Sequence, residues 1–462
     1  MTQIRTLSGP RRPAGATVPA RRLGPAWPRV MNVVSALLLL FFFLQVYENY
    51  ISLVWSYLGM IYRDYRLWEL VLTVTQVGLV AAFLPTHLAR PSAIVVWMLF
   101  AFVFVPTVAL TPMLGVHDSL RYVPLLLTLT LVFVGLSVVA QWPLPRRIQG
   151  TGLFKAEVDL AFLAVWGLAS LILIVAFRNI MSLSSIDDIY YQRALAGASS
   201  GGAISYVQTY YTYVLTPAVL AIGLTKMRPL YIACGLVGFL VTYLIDAQKL
   251  ALIVPVVMLA IWAAYRWHRT SLALFTGGLA ALTAVCALLT FHTPLSMLVI
   301  NVLIFRAIAV PGQVFTQYYD YFSQTGFTWW SNVRGISLIV PPPDALARDP
   351  YWPALGRIVG NEYYGHIVTG VNANANAFAS EGVAAGGLAG LCVIGVLVMA
   401  WLRVVDIVSA RWSVPLVTLV MLPVALCLAN VQLSTVVLSF GGGFWILLLF
   451  TARPDGAGES RR

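Results

Sequence analysis

Charge is what this chain has least of. Asp, Glu, Lys and Arg together make up 10% of its residues, against roughly 25% in an ordinary soluble domain. That composition excludes a soluble globular protein. Cysteine is scarce too: Cys234, Cys286, Cys392 and Cys427 all fall inside apolar runs, where cysteine behaves as a small hydrophobe. No CxxC or CxxxH spacing argues for a metal. A Walker loop, HExxH, GxSxG, and a GxGxxG within a strand–helix unit are all missing, which removes the usual signals of nucleotide, zinc-hydrolase and serine-hydrolase chemistry. Asp187-Asp188 is the only adjacent carboxylate pair, so metal-dependent catalysis is disfavoured. No internal repeat is apparent, and an inverted-repeat transporter therefore lacks its usual pointer.

What the chain has instead is apolar sequence. It is 60% hydrophobic over 462 residues, with a mean hydropathy of +0.84, and its apolar runs recur at lengths near the roughly 20 residues that cross a bilayer as helix. The runs are continuous and not alternating, which excludes a β-barrel. The expected fold is an all-α polytopic membrane protein of about 12 transmembrane helices, at 31–50, 67–85, 92–110, 122–141, 158–177, 204–225, 229–245, 250–265, 272–291, 383–402, 413–430 and 434–451. Segments 229–245 and 250–265 are short enough to be a broken pair around Asp246–Lys249. Residues 1–30 read as a disordered basic cytoplasmic tail, 31–451 as one helical membrane domain, and 452–462 as a second cytoplasmic tail.

The net charge of +12 is scattered between spans, which excludes a nucleic-acid face. With both termini cytoplasmic, nineteen of the 29 Lys and Arg residues fall inside, the bias of the positive-inside rule. The remaining ten oppose orientation and need another reason to be where they are. Nine of them sit in four outer segments, of which 178–203 and 292–382, the latter before the tenth span, are the large ones, and the tenth, Lys249, sits in the short turn after 229–245.

Three outer cations lie closest to apolar sequence: Arg193, Lys249 and Arg306. Each can grip a diphosphate, snorkel to headgroups, or pair with Asp187, Asp188, Asp246 or Asp320. His366 and Glu381 are candidate bases for a sugar hydroxyl. Glu381 has an equal structural reading, in the first turn of a helix with Ser380 as N-cap. Asn372, Asn374 and Asn376 alternate with alanine and suit sugar hydroxyls or turn caps. Tyr318 and Tyr319 serve as interfacial belt or as platforms for sugar rings. Gly382, Gly386 and Gly390 recur at every fourth position, a face for close helix packing.

The ordered series FRAIAVP, YYDYF, a proline-rich loop, GRIVGNEYYG and NANANAFASEGVAAGGLAG resembles bacterial O-antigen (oligosaccharide repeat unit) polymerases of the Wzy type. Upstream, DAQKLALIVPVV and YYQRALAG are similar to the family's short basic segment before a span and its earlier arginine-bearing outer loop. The resemblance covers roughly 180–400. It implies a metal-independent glycosyltransferase of the bacterial inner membrane, without cofactor. Such an enzyme moves a growing glycan from undecaprenyl diphosphate to the next lipid-linked repeat unit at the periplasmic face, with the lipid bilayer and a chain-length regulator protein as further partners. On that reading Arg193, Lys249 and Arg306 hold the diphosphate, His366 or Glu381 is the base, and Asn372–Asn376 with Tyr318 and Tyr319 meet sugar. An O-antigen ligase, which shares the lipid donor, is the nearest alternative, and a lipid-linked oligosaccharide transporter a further one.

Overall fold

The computed structural model describes residues 26–145, 158–182, 192, 196–197, 201–289, 293–367, 371–373, 375 and 377–452, with the side chains of 158, 249 and 250 outside the description. Most of the expected N-terminal tail, nearly all of the C-terminal one, and Arg193, Asn374 and Asn376 thus lie outside the described residues. Among those described there is no β-strand, only an isolated bridge between His87 and Ser271.

Long apolar stretches become helices because a helix closes its own backbone hydrogen bonds where water is absent. The membrane-class helices are α1 (Ala26–Val54), α2 (Leu67–Phe83), α3 (Pro91–Leu114), α4 (Ser119–Val139), α5 (Val158–Phe177), α6 (202–226), α7 (Pro229–Asp246), α8 (Lys249–Arg266) and α9 (Leu272–Leu288). They continue with α10 (Pro294–Thr325), α12 (Phe378–Ser409), α13 (Val414–Asn430), α14 (Leu433–Ser439) and α15 (Gly442–Thr451), while α11 (Leu355–Tyr364) is a short polar helix between α10 and α12. Seven of these, α1, α3, α4, α5, α7, α10 and α12, are long and apolar enough to cross a membrane, or eight if the bent pair α14–α15 counts as one. Helices α2, α8, α9 and α13 are apolar but stop at 17 or 18 residues, about 26 Å at 1.5 Å per residue. α3 is wholly buried at the centre of the bundle.

The two ends of the bundle differ. At one, here called the basic end, Lys226 and Arg228 share the Asp159 carboxylate at 2.6 and 2.9 Å. There too Asp406 accepts from the Ser92 amide and hydroxyl at 3.1 and 2.7 Å. At the other, the loop end, the Arg63 guanidinium meets both Glu69 oxygens at 2.9 Å and the Ser119 hydroxyl at 2.8 Å. Burial of Glu69 to 1% exposure requires such a partner. The turn joining α7 and α8 is at the loop end. Ala247 turns the chain at φ 49°, Arg228 begins α7 at the basic end, and Tyr265 closes α8 by donating to the Leu88 carbonyl there at 2.8 Å. The short pair is therefore a hairpin and not one broken span.

Two expectations are corrected. Residues 292–382 do not begin as irregular chain, because 294–325 is a single helix, α10. Pro294 occupies the first turn of α10, where the missing N–H costs nothing, whereas Pro311 lies inside it, where α-helix resumes after a π-helical stretch. The stretch between them, Ile300–Ala309, runs as π-helix. Although α10 is long enough to span, it runs alongside the loop-end half of α3. Gly312 abuts Pro106, and the Thr111 and Thr316 hydroxyls meet at 2.9 Å. Farther on, Tyr122 donates to Asp320 at 2.6 Å. Its contacts thus climb toward the loop end.

The second correction concerns the glycines of α12. They do not form one packing face, for Gly386 and Gly387 leave helical geometry, Gly387 at φ 56°. The half-helix 378–385 folds back, so that Gly382 lies against Gly390, Leu391 and Ile394. In a straight helix Gly382 and Ile394 would stand roughly 18 Å apart. A Cβ at Gly390 would collide with the Gly382 carbonyl oxygen. Gly390→Ala is expected to lower stability by about 1–3 kcal/mol, whereas Gly278→Ala, at a position with open space, is expected to be neutral or stabilising. Thermal unfolding of the two variants in detergent measures the difference.

Candidate functional site

Helix interruptions converge at the loop end. In α6 a π-turn at Tyr211–Leu215 precedes the interior, and the residues around it reach both the α7–α8 turn and the α14–α15 break. Gln208 Nε2 donates to Asp246 Oδ2 at 3.0 Å, and the Gln248 side-chain amide donates to the same oxygen at 2.5 Å. The Tyr213 hydroxyl donates to Gln248 Oε1 at 3.2 Å, while its ring meets Phe440 edge-on at 4.7 Å. Tyr210 donates to the Leu438 carbonyl at 3.4 Å. Gln192, buried, donates to the carbonyl of Leu244 at 2.5 Å, which fixes that point of the 178–203 segment beside the same turn. Lys249 opens α8 here. A lysine in a first turn adds to the positive end of the helix dipole, so the position favours an anion, with Asp246 three residues before.

The break in α12 closes the arrangement. The orphan carbonyls of Ala384 and Ala385 accept from the Thr328 and Trp329 amides, each at 2.9 Å, as a helix end away from water requires. To deliver those amides Trp329 and Trp330 both hold left-handed backbone, φ 49° and 59°, at a cost of order 1–2 kcal/mol each. Glu381, 2% exposed, lies on the half-helix. Its Oε2 accepts from the Leu433 amide at 2.6 Å and its Oε1 from the Ser434 hydroxyl at 3.2 Å. Both oxygens are thus committed to the start of α14. The Ser380 N-cap does not exist: the N-cap is Ala377, and the Ser380 hydroxyl is buried without a hydrogen-bond partner, as is that of Thr328.

A second group forms where α10 meets α11. Arg306, exposed, lies within electrostatic reach of Tyr364. Tyr364 exchanges hydrogen bonds with the Gln317 side chain at 2.8 and 3.0 Å. Burial pushes the Tyr364 phenol up to about 12, against the pull of the Gln317 hydrogen bond and the Arg306 charge, so it stays protonated at physiological pH. Beside Arg306, Phe305 stacks on Trp55 at 4.3 Å. The 371–377 stretch backs onto α11, with the Ala373 amide donating to the Gly356 carbonyl at 2.7 Å. Ala373, Ala375 and Ala377 are buried and Asn372 is exposed.

Of the residues expected from sequence, Arg306, His366 and Asn372 are exposed at the loop end. Lys249 starts a helix among Asp246, Gln248 and Gln208. Ala384 packs with Val314 and Tyr318 in one apolar cluster, which ties α10 to the half-helix bearing Glu381. Tyr318 is fully buried against Phe322 at 5.6 Å and offers no face to a sugar. Tyr319 is half-buried, edge-on to Tyr122 at 5.7 Å. Gln208, Tyr213, Gln248, Gln317 and Tyr364 were missed, since a lone amide or phenol carries no sequence signal without its partner. The pairing of Asp246 with Gln248 across a two-residue turn was the one local clue. No group of three or more His, Cys, Asp or Glu placed to hold a metal occurs among the described residues. No family model matches the chain, and no curated protein or solved structure is detectably similar to it.

Because Glu381 satisfies a buried amide, Glu381→Ala is expected to destabilise by about 1–3 kcal/mol, and Glu381→Gln, which keeps one acceptor, by less. Unfolding in detergent reads this. A purely chemical role for the carboxylate would leave both variants as stable as the parent.

Proposed function

We propose that this chain is a polymerase of lipid-linked oligosaccharide repeat units, acting at the periplasmic face of a bacterial inner membrane. The observation that carries the reading is the convergence of interrupted helices at the loop end. The α7–α8 turn, the α6 π-turn, the α12 break and the α14–α15 break meet there through Gln208, Tyr213, Gln248 and Glu381, with Lys249 opening a helix among them. Non-helical backbone at membrane depth is tolerated where it lines a protected or watery space. Ionisable groups kept there mark substrate paths. The twelve-span topology with both termini cytoplasmic belongs to this proposal, with α2, α8, α9 and α13 as short crossings and α6 and the α14–α15 pair as bent ones.

The chemistry is a displacement at an anomeric carbon. A hydroxyl oxygen of the incoming repeat unit bonds to the anomeric carbon of the growing glycan, and the bond from that carbon to the diphosphate oxygen breaks. The electron pair leaves with undecaprenyl diphosphate, and the hydroxyl proton passes to a base. Lys249, Arg193 and Arg306 stabilise the charge that develops on the leaving diphosphate. His366, exposed beside the Tyr363-Tyr364 pair, is the available base, since both Glu381 oxygens already accept hydrogen bonds. Asn372 and Tyr319, with Asn374 and Asn376, meet sugar, and holding two lipid-tethered substrates in register supplies the rest. A chain-length regulator is the protein partner this activity calls for.

Lys249→Ala and Arg306→Ala, each at parental membrane level, are expected to shorten or abolish the polysaccharide ladder while single repeat units persist. Arg306→Lys is expected to retain part of it. His366→Ala is expected to slow transfer by about 10²-fold or more. Normal ladders in both charge variants overturn the diphosphate assignment. Long polymer left unattached in cells lacking the protein identifies a ligase instead, and movement of labelled lipid-linked sugar into vesicles without transfer identifies a transporter.

A further inference from the structure

The basic end holds a site that the transferase reading does not use. Where α5 begins, α6 and α15 end, and α12 turns into α13, a cavity of about 240 Å³ opens. Its floor is apolar, formed by Phe162, Ala218, Leu416, Val417, Val420 and Leu448. Its polar lining is Asp159, Lys226, Arg411 and Ser413, with Trp412 and Trp445 between floor and mouth. An engineered void of 150 Å³ with apolar walls stays dry and takes up small apolar molecules, so this larger space is suited to hydrocarbon.

Among the described residues, three cations stand at the mouth beside one carboxylate. Lys226 and Arg228 both engage the single Asp159 carboxylate, at 2.6 and 2.9 Å, and Arg411 adds a third cation. One terminal nitrogen of Arg411 donates to the Leu449 and Phe450 carbonyls at 3.0 and 3.1 Å, which anchors the guanidinium at the rim. Its Nε is buried without a hydrogen-bond partner, and so is the Trp445 indole nitrogen, on a side chain 3% exposed. Unsatisfied buried donors are uncommon and call for an acceptor. Unsatisfied donors and lining cations above an apolar pocket, at the end of a helical bundle, describe the complement of one molecule: an anionic head on a hydrocarbon chain.

We infer that this cavity binds one anionic glycerophospholipid, with an acyl segment against Leu416 and Val420 and the phosphate at Arg411 and Lys226. Basic pockets between membrane helices take acidic lipid headgroups in this way. The site is separate from the loop-end one. It is built on the far ends of the same helices, since α6 carries Gln208 and Tyr213 at one end and Lys226 at the other.

The test uses the full-length protein in detergent, with phosphatidylglycerol and phosphatidylcholine of matched chains as probes, read by native mass spectrometry and by unfolding temperature. One phosphatidylglycerol per chain is expected, favoured roughly tenfold or more over phosphatidylcholine. Lys226→Gln is expected to erode that preference. Leu416→Trp, which fills the floor and keeps every charge, is expected to abolish retention in a protein that still folds. Equal retention of the two lipids overturns the inference, as does a preference that survives Leu416→Trp. Inorganic phosphate matching phosphatidylglycerol in raising the unfolding temperature also overturns it, by showing an anion site with no use for the chain.

Discussion

Everything particular to this molecule follows from one constraint: a helix interrupted away from bulk water must find partners for the backbone groups it sets free. Each interruption here is answered by a specific donor or acceptor. The Thr328 and Trp329 amides complete the end of the α12 half-helix, Glu381 completes the start of α14, and Gln192 reaches the Leu244 carbonyl before the α7–α8 turn. Since a net hydrogen bond adds only about 1 kcal/mol while an orphaned buried group costs more, these partners do more to select a conformation than to deepen it. Their common location turns local repairs into a polar region, and that region is what the proposed transfer chemistry occupies.

The price of the arrangement is visible in the backbone. Two consecutive tryptophans in left-handed conformation are a rare expense in a chain rich in glycine elsewhere. Their indoles explain the choice. The Trp329 ring lies over Gly386, and Phe327 over Gly387, so the residues that deliver the capping amides also cover the bare turn they cap. Glycine at 329 would relax the dihedral and uncover the break.

How much of this could be read from the amino acids depended on whether the signal was a run or a pairing. Apolar runs and scattered basic residues were enough for an all-helical membrane architecture and for most helix positions, because hydrophobicity acts through composition and length. Breaks were harder. Pro294 begins a helix that Pro311 does not end, whereas Gly386, expected on a packing face, is with Gly387 where the chain reverses. Proline and glycine report only what the backbone tolerates, and tertiary contacts choose among the options. In the sequence, Asp246–Lys249 stood out as a charged pair bracketing a short turn, and Arg306 as a cation in apolar chain. Contacts were not legible at Glu381, whose partner lies 52 residues away, nor at Gln317 and Tyr364, whose meeting depends on how α11 folds onto α10. Tyr318 shows the limit from the other side, since an aromatic in a YYDYF run has no way to declare which of its neighbours will be core.

The doubling back of α12 also bears on how the protein is made. The stretch from 378 to 385 is far too short to be taken into a bilayer as a crossing of its own, so during synthesis the segment beginning near Leu388 must be the one recognised. Its lead-in waits on the side it came from. The 328–329 amides have by then left the ribosome and can dock at once, but Leu433 and Ser434 have not. Glu381 therefore spends the interval of some fifty residues without the Leu433 amide and the Ser434 hydroxyl, and the final pair of helices is what brings them. A chain released before that pair emerges lacks both of those donors to its buried carboxylate, which is one physical difference between an unfinished copy and a complete one.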